Sequence, residues 1–199
     1  MCIFSSQFSA VYTIMNSLKN HILIAMPHLS DPYFGKSVVL LCDHTTEGAM
    51  GIVVNRPISD PEMKKLFSEI YPEGNDLLIK NSAVYFGGPV MIERGIVLHT
   101  PEISAKGTIN ISNDFALTAH KEILNNIDEN TSSLQFKLAI GHAGWTKGQL
   151  EREIENGDWL IQDTTRDFIF NTPDKLMWNQ AALSFGVSPS EFSGHGGLA

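Results

Sequence analysis

Short aliphatic runs, cut by turns rich in Gly, Pro, Asp and Asn, dominate the first half of the chain. "HILIAM", His21 to Met26, ends at Pro27 and fits a buried strand. After the turn "SDPYFGK", the segments "SVVLLCD", Ser37 to Asp43, and "GAMGIVVN", Gly48 to Asn55, flank "HTTE". They predict a β-hairpin with a four-residue turn, placed inside a sheet because its strands are apolar at successive positions. Ser59 and Glu62 then have capping-box spacing, with Ile58 and Met63 as the hydrophobic staple. Met63, Leu66, Phe67 and Ile70 continue as one helical stripe, which Pro72 stops.

The second half mixes both periods. "AVYFGGPV", Ala83 to Val90, and "GIVLHT", Gly95 to Thr100, read as strands around a turn at Met91 to Arg94. "TINIS" alternates as a half-exposed strand, and His120 to Ile127 reads as a helix. "QFKLAIGHAGW" begins as a strand, Gln135 to Ile140, and enters a Gly-rich turn, Gly141 to Gly144. Thr146 with Gln149 forms a second capping box, Trp145 with Leu150 its staple, and the helix runs to about Asn156 before Gly157. "DWLIQ" and "DFIF" are short strand candidates, and Thr172 with Pro173 opens a last helix to Phe185. Hairpins and strand–helix alternation together predict an α/β or α+β domain with a mixed sheet and helices packed on it.

At 199 residues the chain has enough length for one substantial core. Residues 1–14 read as an extension before a domain of residues 15–199, with a mobile Gly-rich tail. Hydrophobic residues make up 43% and charged residues 18%, with no apolar run long enough to span a bilayer, so no membrane partner is expected. The 14 Lys and Arg stand against 22 Asp and Glu, a formal charge of -8, and the cations are scattered. That balance opposes direct nucleic-acid binding, which rests on clustered cations facing phosphates. Two cysteines, Cys2 and Cys42, give neither a disulfide framework nor a zinc site, and the leader lacks a positive n-region, so a cytoplasmic location follows.

In order and spacing, "ILIAMPHLSDPYFGKSVVLLCDHTTEGAMGIVVNRP", "FGGPV", "RGIVLHTP" and "GHAGWTKGQLEREI" resemble the AlgH/YqgE family of bacterial proteins. The resemblance runs from Met15 to the Gly-rich tail. It implies a compact α/β domain with a curved, barrel-like mixed sheet, in a family whose members are often described as transcriptional regulators. His142 stands where that family usually carries Tyr, and imidazole differs from a phenol in reach and titration. The resemblance supplies no catalytic residue, cofactor or metal.

Candidate chemistry gathers at strand ends. Residues 42 and 44 of an extended strand share a face, so His44 could favour the Cys42 thiolate, as a nucleophile or redox sensor requires; a small buried hydrophobe is the commoner fate of such a cysteine. "GHAG" before a helix start, with Gly141, His142 and Lys147, has the makings of an anion cradle, although the capping box competes for its N–H groups. Arg56 in "NRP", Gly88 in "GGP" and Arg94 in "ERG" suggest a site where both arginines hold a carboxylate or phosphate; turn chemistry and surface salt bridges explain the same residues as well. His99 and His120 lack metal-ligand spacing. The leading expectation is a regulatory domain binding a small anionic metabolite or nucleotide near Cys42, Arg56, Gly88, Arg94 and His142, with a cysteine-dependent enzyme and a DNA-binding regulator as alternatives. The hairpin limits that single pocket, because it sets Cys42 near Gly48 and Arg56 near Ser37.

Overall fold

The computed structural model describes residues 17–59, 82–129 and 134–185. Its centre is the expected hairpin, β2 (Val38–Thr45) and β3 (Gly48–Val53), flanked by β1 (His21–Ala25) and then β9 (Trp159–Asp163), all antiparallel. The apolar runs of these strands are explained by cores on both faces. Ile22, Ile24, Val38, Leu40 and Ile52 point to one core, and Leu23, Ala25, Val39, Leu41 and Val53 to the other. The first is closed by Met177, Trp178 and Ala181 of α4 (Asp174–Ser184), the second by Leu150 and Ile154 of α2 (Gln149–Glu155).

The longest strand, β8 (Phe136–Thr146), joins this half of the sheet to β5 (Val90–His99), β7 (Ala116–Thr118) and β6 (Ile109–Asn110). The path is β6-β7-β5-β8-β3-β2-β1-β9. The parallel strand β4 (Val84–Phe86) takes the edge of β8 from Leu138 to Ile140, where β3 has diverged. A third core lies under this half, where Val84, Val97, Leu138 and Ile140 meet Ile123, Leu124 and Ile127 of α1 (Glu122–Glu129). With the short α3 (Arg166–Asn171), the result is one α+β domain whose mixed sheet curls into a half-barrel carrying four described helices.

Several local expectations change. The hairpin turn shortens to Thr46 and Glu47, since Thr45 pairs with Gly48. Met91 to Arg94 are no turn but a widely bulged part of β5, which resumes regular pairing at Gly95. "GHAG" lies inside β8, not in a turn. Its glycines admit backbone against backbone: a Cβ on Gly141, at φ 67°, would stand 2.3 Å from the Gly88 carbonyl oxygen. "DFIF" belongs to α3, whose N-cap Thr165 accepts the Phe168 N–H, and β7 arises from a segment that carried no strand signal. Thr146 ends β8 instead of capping α2, although the Gln149 side chain still accepts its N–H at 3.0 Å. The helix expected from Ser59 to Ile70, the extension and the tail lie outside the described residues.

Candidate functional site

Cys42 and His44 do not share a face. Leu41 pairs with Gly51 and Asp43 with Met50, so Cys42 is the extra residue of a β-bulge that breaks the strand's alternation. Cys42 packs with Leu40 and Ile52 in the first core, and burial pushes its thiol up to about 12. The His44 ring turns instead toward α2, where Nε2 lies 3.0 Å from Glu151 Oε1. The arrangement supports the hydrophobic role of Cys42 and supplies no base for a thiolate.

Gly88, Arg94, Gly141 and His142 do converge, at the junction of the β4–β5 connection with β8. Gly88, at φ 148°, packs directly on the His142 backbone, while Gly87 donates to Ile140 and accepts from Val53, bridging β8 and β3. Burial first, and the Arg94 charge second, hold the His142 imidazole below its ordinary range. Lys147 is elsewhere, with Nζ 3.3 Å from Glu47 at the hairpin end, and α2 has Gly148 as its N-cap. The expected cradle of Gly141, His142 and Lys147 therefore does not form.

Arg56 and Arg94 cannot act jointly as expected, because β4 and β8 lie between them: Pro57 bridges to Tyr85, β4 pairs with β8, and β8 pairs with β5. The Arg56 guanidinium faces the loop after β1, where its two terminal nitrogens donate to the Pro32 and Gly35 carbonyls at 2.7 Å each. Asn55 fixes the same loop, accepting from Val38 N–H and donating to the Lys36 carbonyl. These bonds shape one wall of an open cleft of about 340 Å³, whose other wall is the start of α4. Lys36, Asn55, Arg56, Asp174, Lys175 and Asn179 supply its polar lining. Lys36 Nζ lies 5.9 Å from the Trp178 ring centroid, and Trp178 is held in turn by its indole N–H on the Ala25 carbonyl.

Beneath Asp174 is a group of residues that sequence reasoning missed. Lys137, only 6% exposed, places Nζ 3.0 Å from Asp174 Oδ1 and 4.0 Å from the Tyr85 ring centroid. The Tyr85 hydroxyl donates to Asp174 Oδ2 at 3.1 Å. Burial pulls the Lys137 amine down while Asp174 opposes it; burial and then the Asp174 charge push the Tyr85 phenol up. The cleft's carboxylate is thus bonded through both oxygens from below. The available signal was a lysine inside an otherwise apolar strand, "QFKLAI".

Two further described histidines, His99 and His120, have local roles. His99 is buried between the Thr100 carbonyl and the Thr118 hydroxyl, and His120 pairs with Glu122 at 3.6 Å. Among the described residues, no three His, Cys, Asp or Glu side chains are grouped to hold a metal ion, and no helix is long and apolar enough to cross a membrane.

Fold and cleft together define a single-domain α+β protein on a curled mixed sheet, with a cation-lined opening between the β1–β2 loop and α4. The chain belongs to the AlgH-like family: the family model DUF179, AlgH-like, matches residues 22–190. A UPF0301 protein of Shewanella frigidimarina is 41% identical over 187 residues, covering 93% of this chain and all of the relative. One from Marinomonas sp. is 38% identical over 184 residues, covering 91% and 97%. The solution structure of the AlgH protein from Pseudomonas aeruginosa superposes with a TM-score of 0.73 at 33% identity, over 92% of this chain and 96% of that one. A Corynebacterium diphtheriae protein, at 22% identity and a TM-score of 0.63, shares the fold.

Proposed function

We propose that the protein is a cytoplasmic regulatory binding module, not an enzyme, that holds a small anionic molecule in the cleft between the β1–β2 loop and α4 and affects transcription indirectly. The observation that carries this reading is the local reversal of charge. On a chain of net charge -8, Lys36, Arg56 and Lys175 line one opening. Its carboxylate, Asp174, is already paired with Lys137. The opening therefore presents positive potential to an incoming phosphate or carboxylate. Its volume, about 340 Å³, lies at the small end of metabolite sites. The Asn55 and Asn179 side chains add neutral hydrogen-bonding groups beside the cations. A phosphorylated metabolite or nucleotide is the ligand class this lining suits.

Arg56 is the ligand residue of the sequence-based expectation that remains, and here it both adds charge and braces the loop that carries Lys36. Thermal unfolding against a panel of phosphorylated metabolites and nucleotides tests the reading. At a hundredfold excess over Kd, a ligand of the native state should raise Tm by roughly 5 to 10 °C for a domain of this size. The shift should shrink in Lys36→Ala and Lys175→Ala, which leave the Arg56 bonds in place. A panel without any shift, or a shift as large in both variants as in the wild type, overturns the cleft as the site.

A further inference from the structure

We infer that His44 is a neutral-imidazole latch that holds the chain at Ser17–Leu18 against the sheet and releases it on acidification. The ring sits between two partners of opposite demand. Leu18 N–H donates to Nδ1 at 2.8 Å, so Nδ1 carries no proton. The neutral ring must then carry its proton on Nε2, which donates to Glu151 Oε1 at 3.0 Å. The same residue accepts a second bond from the segment, since the Ser17 hydroxyl donates to the His44 carbonyl at 2.9 Å. Asn20 N–H then donates to the Leu41 carbonyl, so residues 17 to 20 lie along the outer part of β2. These bonds seat the Leu18 side chain, 2% exposed, in the core with Leu41, Leu150 and Trp145.

A second proton on the ring changes one partner and not the other. Nδ1 becomes a donor facing the Leu18 N–H, and that bond is lost, whereas the contact with Glu151 gains full charge. Acid thus moves the ring's allegiance from the incoming segment to α2. The charged groups on the elements around the ring are Lys19 on that segment, Asp43 and Glu47 on the hairpin, Lys147 after β8, and Glu151, Arg152, Glu153 and Glu155 on α2, of which Glu153 accepts the Trp145 and Trp159 indole N–H groups. Lys19 donates to the Asn110 carbonyl and Lys147 pairs with Glu47, leaving Glu151 as the ring's ion-pair partner among the described residues. The latch needs no ligand in the cleft and is independent of the function proposed above.

Two NMR measurements on the full chain test it. Ring nitrogen shifts near pH 8 should report the Nε2–H tautomer for His44; an Nδ1–H tautomer overturns the latch. Between about pH 8 and about pH 5, hydrogen-exchange protection of the Leu18 amide, taken relative to Leu23 and Leu40, should fall roughly tenfold, the size expected for one lost hydrogen bond. His44→Asn keeps an acceptor near the Nδ1 position and cannot titrate, so its Leu18 protection should stay level across that range. The inference fails if the wild-type amide keeps constant relative protection, or if the variant loses protection as the wild type does.

Discussion

Cys42 and His99 are buried titratable groups on which the same cause acts in opposite directions, because burial disfavours whichever form is charged. With its thiol pushed up to about 12, Cys42 should resist iodoacetamide in native protein near pH 8 and react like an ordinary thiol once unfolded. Native labelling at the ordinary thiol rate would contradict its placement in the core. His99 is held below its usual range chiefly by burial, with the Thr100 carbonyl opposing. As pH falls through the ordinary imidazole range, the unfolded chain takes up a proton before the native one. The stability tied to neutral His99 is therefore intact above that range and lost below it. Urea midpoints between about pH 7.5 and pH 5 should fall in the wild type, and fall less in His99→Gln, which cannot titrate. An identical slope in both proteins would assign the acid sensitivity elsewhere.

At the scale of elements, α4 is tied to the sheet by a polar anchor as well as by its apolar face. Asp174, in the first turn, reaches both Lys137 of β8 and Tyr85 of β4. Removing one partner leaves the other charge poorly compensated, so Asp174→Ala should cost about 3 kcal/mol, at the low end for a buried pair because Asp174 is 23% exposed. Lys137→Met with Asp174→Ala removes both charges, and the double variant should recover much of that loss in urea unfolding. Strict additivity of the two single changes would contradict the coupling. The elements themselves were legible where their cause was local: the apolar runs of β1, β2, β3 and β9, and the Thr172–Pro173 start of α4. Where the cause was distant, reading failed. The glycines of "GHAG" looked like a turn because the approach of Gly87 and Gly88, about fifty residues earlier, is invisible in the local pattern. Likewise, Lys137 gains its meaning from Asp174, thirty-seven residues on. The bulge at Cys42 reversed the face of His44 for a related reason, since it is set by pairing with Gly51 and Met50. Arg56 was the part of the cleft that sequence could supply.

On the scale of the whole molecule, a chain of net charge -8 carries a cation-lined opening between the β1–β2 loop and α4. An anion should feel weak repulsion from the net charge at long range and attraction at the cleft, so its affinity should depend less on salt than binding to an extended basic face would. The single-pocket expectation divides into three places: the core at Cys42, the glycine junction at His142, and the cleft at Arg56. Of these three, it is the cleft for which the structure shows several cations lining an open cavity of metabolite size. The most direct measurement is a titration of isotopically labelled full-length protein with inorganic pyrophosphate, then with a nucleoside diphosphate, read by amide shifts. Saturable changes should centre on Lys36, Asn55, Lys175 and Asn179, and Lys36→Ala with Lys175→Ala should abolish them. Shifts that centre on Arg94 and His142, or none at millimolar ligand, would contradict an anion site at the β1–β2 loop and α4.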